Sequence, residues 1–128
     1  MASHCERARC DLVRAFIGAW EARDVEDILK RMTPDATYLN VGLSEAKGQE
    51  AIRATITPFL TTASEVRWTI THIAQSEDGV VLTERVDVFV IGEKTLSVPV
   101  MGAFEFEGDL ISAWRDYFDL PGFQAQMA

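Results

Sequence analysis

An α+β fold, with a twisted sheet curled around N-terminal helices to leave a pocket between them, is what this sequence predicts. Three observations carry that expectation. Apolar residues recur at helical spacing through the first part of the chain. The period changes to two near residue 66. Short turn signals then separate four long alternating segments. Helices gathered ahead of a run of hairpin-linked strands define the class, and twist curls such a sheet over its helices.

Taken in order, Ser3 reads as a helix N-cap with Glu6 as its capping-box partner. Leu12, Val13, Phe16, Ile17 and Trp20 mark one face of a first helix ending near Ala22-Arg23. Asp24 caps a short second helix carrying Val25, Ile28, Leu29 and Met32, closed by Thr33-Pro34. A strand is expected over 36–41 and a loop over 42–48. A third helix runs from Gln49 to about Phe59, with Pro58 close to its end. Four strands follow at 66–75, 80–91, 96–106 and 110–118. The turns between them are Glu77-Asp78-Gly79, Gly92-Glu93-Lys94 and Glu107-Gly108-Asp109, which make an antiparallel meander. No repeat or linker interrupts the 128 residues, read as one domain spanning 1–128.

The formal charge of −8 argues against a nucleic-acid or anionic-membrane partner, each of which needs a basic face. No apolar run is long enough to span a bilayer. The charged N-terminus has no signal-peptide core, so a cytoplasmic location is expected. Cys5 and Cys10 match no common zinc spacing even with His4 beside them, and are expected to be free thiols. The strand at 80–91 is apolar on both faces, its second face being Leu82, Glu84, Val86, Val88 and Val90. That face is expected to pack against a second subunit as a two-fold dimer, the alternative being cover by residues 120–128.

The chemistry is expected where charge stands on apolar strand faces. Arg85, Asp87 and Phe89 share one face of their strand, and Trp114, Asp116 and Phe118 share one face of theirs. Tyr38 and Asn40 form a third pair two residues apart. Charges are seldom left inside a protein unless paired or working. A surface salt bridge would explain Arg85 and Asp87 alone, but not a second acid set between aromatics. Two carboxylates about 6 Å apart repel by roughly 3 kcal/mol at an effective dielectric near 20, enough to hold one protonated. His72 is expected in the core or on the surface, and Arg115, Tyr117 and Asp119 are expected to face outward. No phosphate loop, nucleophile elbow or histidine metal motif is present. Acid–base chemistry without cofactor or metal is therefore expected. Ile17, Trp20, Phe59, Trp68, Phe89, Val98, Val100 and Phe118 are the expected apolar lining of a substrate pocket.

Three segments carry a resemblance: Tyr38-Leu39-Asn40, the run Thr83-Glu84-Arg85-Val86-Asp87-Val88, and the run from Trp114 to Leu120. They resemble the sequence blocks of limonene-1,2-epoxide hydrolases. The resemblance implies a cone-shaped fold like that of nuclear transport factor 2, with a curved mixed sheet around a deep apolar pocket. It implies a cofactor-free homodimer that opens small terpene or alicyclic epoxides to vicinal diols. It further implies that Asp116, Asn40 and Tyr38 hold a water, with Asp116 as general base. Asp87 would be the general acid and Arg85 the bridge between the two. Trp20, Trp68 and Phe89 are bulkier than the aliphatic residues common in that family. The same fold also hosts ketosteroid-isomerase-like and polyketide-cyclase-like enzymes. Proton exchange into a 3-ketosteroid would mark an isomerase, and ligand binding that survives loss of both aspartates would mark a non-catalytic binding module.

Overall fold

A computed structural model describes residues 4–128, with side chains from residue 8 onward. The expected Ser3–Glu6 cap and Cys5 lie outside the described side chains. Helix α1 (His4–Glu21) turns Cys10, Val13, Phe16, Ile17 and Trp20 inward at the expected spacing. Asp24 caps α2 (Val25–Lys30), accepting from the Asp27 amide at 3.1 Å. The next strand, β1 (Met32–Asn40), starts four residues earlier than expected. Met32 is therefore a strand residue and not the end of a helix. Its register against the neighbouring strand shifts between Met32 and Thr37, the sort of irregularity in which Pro34 is tolerated without a ladder donor.

The expected loop contains a two-residue edge strand, β2 (Ala46–Lys47). Helix α3 (Gln49–Thr62) continues past Pro58. The missing proline amide removes one bond near the end, and the Ala63 amide still reaches the Phe59 carbonyl at 3.0 Å. Strands β3 (Glu65–Gln75), β4 (Val81–Ile91), β5 (Lys94–Glu107) and β6 (Leu110–Phe118) form the expected meander. Helix α4 (Leu120–Met127) was not expected; Asp119 caps it by accepting from the Gly122 amide at 3.1 Å.

The strands form one curved, open sheet in the order β2-β1-β6-β5-β4-β3. β1 runs parallel to β6 and every other pairing is antiparallel, so the sheet is mixed. Helix α1 lies in its concave face. Phe16 meets Trp114 edge-on at 5.1 Å and Phe104 at 6.1 Å, contacts that favour the perpendicular arrangement. The Glu21 carboxylate ties the helix to β3 by accepting from the Trp68 amide at 3.1 Å. No helix among the described residues is long and apolar enough to cross a membrane.

On the convex face Leu82 is 44% exposed and Met101 52%, beside half-buried Val86, Val88 and Val90. The C-terminal helix leaves this face open. Phe123 turns instead toward Phe59, Phe89 and Phe118 on the concave side. His72 is on the surface, its Nδ1 2.8 Å from Glu84 Oε1, beyond a register shift between Ile70 and His72.

Candidate active site

Strand alternation and register bring the expected polar residues together. Asn40 lies opposite Asp116, and Tyr38 opposite Trp114, where β1 pairs with β6. Arg85 lies opposite Val100 and Asp87 opposite Val98, where β4 pairs with β5. All project to the concave side, around a cavity of about 240 Å³.

Arg85 is the centre of the arrangement, 1% exposed. Nε donates to Asp87 Oδ1 at 3.0 Å and Nη2 to Asp87 Oδ2 at 2.8 Å. Nη2 also donates to Asp116 Oδ2 at 2.8 Å, and Nη1 to Asp116 Oδ1 at 3.1 Å. Nη1 has a further acceptor in Thr83 Oγ1 at 3.3 Å. These five bonds equal the five N–H groups of a guanidinium. Trp68 lies against the same group, with Arg85 Cζ 4.9 Å from a ring centroid. Trp114 Nε1 donates to Asp116 Oδ1 at 2.8 Å. Asp116 Oδ1 thus has two donors and Oδ2 one. Asp87 has one donor on each oxygen, which leaves lone pairs on both acids toward the cavity they line.

The electrostatics separate the groups. Burial pushes the Asp87 carboxyl up to about 6; the adjacent guanidinium opposes this and Asp116 reinforces it. Burial, helped by the Asp116 charge, raises the Tyr38 phenol above its ordinary value and keeps it neutral. Burial works against the charge of Arg85, but the two aspartates outweigh it and raise its pKa further. Tyr38 donates to Asn40 Oδ1 at 3.2 Å and stacks on Trp114 at 4.1 Å.

Of the expected apolar lining, Trp20, Phe59, Trp68, Phe89, Val98, Val100 and Phe118 border the cavity. Ile17 does not: it is 3% exposed within the hydrophobic core behind the cavity wall. Leu43, Thr55, Ile56, Leu120 and Phe123 line the cavity without having been expected there. Thr55 and Ile56 precede Phe59 by four and three residues, a shared helical face that the sequence displays. Leu120 and Phe123 are visible only once α4 exists. Thr83, two residues before Arg85, shares its inward face. The residues expected to face outward do so: Tyr117 is 48% exposed, Arg115 pairs with Glu105, and Asp119 caps α4.

Residues 7–128 match the family model described as the limonene-1,2-epoxide hydrolase catalytic domain. The chain is 33% identical over 109 residues to epoxide hydrolase EphG of Mycobacterium tuberculosis, covering 84% of this chain and 71% of that one. Among solved structures it is similar to an M. tuberculosis epoxide hydrolase of the same type. That match has a TM-score of 0.82, 27% identity, and coverage of 94% of this chain and 90% of the other. A protein of ketosteroid isomerase-like fold from Catenulispora acidiphila superposes with a TM-score of 0.79 at 24% identity, over 90% of each chain, a likeness of fold alone.

Proposed function

Because the chain belongs to the limonene-1,2-epoxide hydrolase family and is an epoxide hydrolase on a nuclear transport factor 2-like fold, we propose that it adds water to small alicyclic or terpene epoxides in one concerted step. The observation that carries this reading is a single guanidinium bonded at 2.8 Å to each of two buried acids beside an apolar cavity. A water held by Asp116, Asn40 and Tyr38 attacks an epoxide carbon. Its proton passes to Asp116 as the carbon–oxygen bond of the ring breaks. The leaving oxygen takes the proton of Asp87, giving a vicinal diol. Exchange with solvent returns a proton to Asp87 and removes one from Asp116. Arg85 holds both acids in register through the cycle and touches neither water nor epoxide.

The elevated Asp87 pKa suits an acid that must arrive protonated. The aromatic and aliphatic wall accepts a hydrocarbon ring and excludes bulk water. The open convex face supports a two-fold homodimer as the working form.

Purified protein incubated with limonene oxide, cyclohexene oxide and a bulkier sterol epoxide, with products resolved by chiral chromatography, tests the activity. Diol from the smaller two is the expected result, and proton exchange into a 3-ketosteroid without diol would overturn it. Single turnover in ¹⁸O-water tests the route. Label must enter the diol in the first turnover; label in an aspartate would mean an ester intermediate.

A further inference from the structure

Along the concave face of β5 the inward positions are Leu96, Val98, Val100, Gly102 and Phe104. Four carry large side chains and one carries none. Gly102 lies opposite Thr83 on β4 and opposite Asp116 on β6. A Cβ placed on Gly102 would meet Arg85 Nη1 at 2.6 Å, Asp116 Oδ1 at 2.8 Å and Thr83 Oγ1 at 3.0 Å. Those atoms are the two ends of the Nη1–Oδ1 bond and the hydroxyl that takes the remaining Nη1 proton.

We propose that Gly102 is a positioning residue for the hydrolysis, its missing side chain being the opening through which the Arg85 guanidinium crosses β5 to reach Asp116, with Thr83 fixing how far it turns. The inference rests on the assignment of Arg85 and Asp116 to the reaction. Arg85 and Asp116 stand on strands that are not neighbours, since β5 separates them. Their bond has to pass over β5, and a stripe of valine and leucine would block it. The glycine is not there for its backbone: it lacks the positive φ of the turn glycines Gly79 and Gly108. Alanine would satisfy the strand backbone there, and glycine weakens a strand interior. What excludes a methyl group is the bonded pair itself, all of it buried. Either the guanidinium or the carboxylate must move by several tenths of an ångström, and a displaced base costs rate out of proportion to distance.

The test is Gly102→Ala, with Gly18→Ala as control, since a Cβ at Gly18 meets nothing within 4 Å. Expected for Gly102→Ala is a kcat on the best epoxide lowered at least thirtyfold, with KM within threefold of the parent. The Arg85 Nε–H resonance in ¹⁵N NMR should shift, while the control leaves kcat and the resonance unchanged. Thr83→Val should lower kcat about tenfold and Thr83→Ser should restore it, a pair that decides the matter if Gly102→Ala does not fold. The proposal fails if Gly102→Ala keeps kcat within threefold, or if its loss lies in KM or merely follows the unfolded fraction. It fails also if Thr83→Val is as active as Thr83→Ser. A parent that opens no epoxide would refute the reaction, and the NMR comparison would still report whether Gly102 holds the crossing open.

Discussion

At the scale of single residues, the outcome depends on how completely Arg85 is used. Each of its N–H groups has an acceptor, and each acceptor but Thr83 belongs to an acid that lines the cavity. A lysine carries the charge on three donors without the planar fork. Arg85→Lys should lower kcat/KM at least a hundredfold in steady-state assays, although charge is conserved. Removing charge and donors together leaves two buried carboxylates facing each other. Arg85→Leu should therefore cost about 3–5 kcal/mol by urea denaturation at pH 7. Asp87→Asn and Asp116→Asn should each remove a factor of about 10²–10⁴ from kcat while circular dichroism is unchanged. In the proposed reaction Asp87 acts protonated; with its carboxyl pushed up to about 6, kcat/KM should fall about tenfold per pH unit above that value. A profile flat through pH 6–8 would remove Asp87 from the role of acid. These residues were legible because charge on an apolar strand face is costly enough to need a reason. Gly102 was not: a gap contributes no side chain to an alternation pattern, and only the register of three strands shows what fills it.

At the scale of elements, β4 and β6 were legible because their alternation is long and the polar residues on their inward faces stand out among apolar neighbours. The parallel pairing of β1 with β6 was not derivable from either strand alone, since pairing partners leave no mark on a single segment. The start of β1 was obscured by Pro34, which reads as a break but sits in an irregular stretch of strand. Helix α4 was missed because eight residues with a glycine in the first turn make a weak helical pattern. Asp119 followed two residues later by Pro121 was the available signal. Helix α4 bears on the site, because it closes one side of the cavity with Phe123 and Leu120. It is fastened where β5 runs beyond the end of β6. The Gln126 side chain accepts from the Ser97 amide at 2.9 Å and donates to the Ser97 carbonyl at 3.0 Å, in place of a further strand. Phe123→Ala should remove about 1 kcal/mol of aromatic contact with substrate, raising KM roughly fivefold with kcat changed less than twofold.

At the scale of the molecule, two predictions concern the folded state as a unit. Asp87 has a raised pKa, so the folded protein binds its proton where the unfolded chain has released it. Its contribution to stability is complete below about pH 3.8 and is lost as pH rises through about 6. The span of about 2 units corresponds to about 3 kcal/mol. Relative to Asp87→Asn, the parent should therefore lose about that much stability between pH 4 and pH 7 in denaturant titrations. A constant difference across that range would contradict the raised value. On the convex face, Val88→Glu or Met101→Glu should yield monomers by sedimentation velocity if copies of the chain meet there; unchanged mass would place the dimer elsewhere or dismiss it. One further consequence follows from the aromatic stack. The chain has three tryptophans, and all three are buried together: Trp20 lies 4.5 Å from Trp68 and 5.4 Å from Trp114. Two of them form part of the cavity wall. Tryptophan emission, excited selectively near 295 nm, therefore comes wholly from the neighbourhood of the cavity. The molecule carries its own optical gauge of occupancy, readable in a fluorimeter without label or chromophoric substrate.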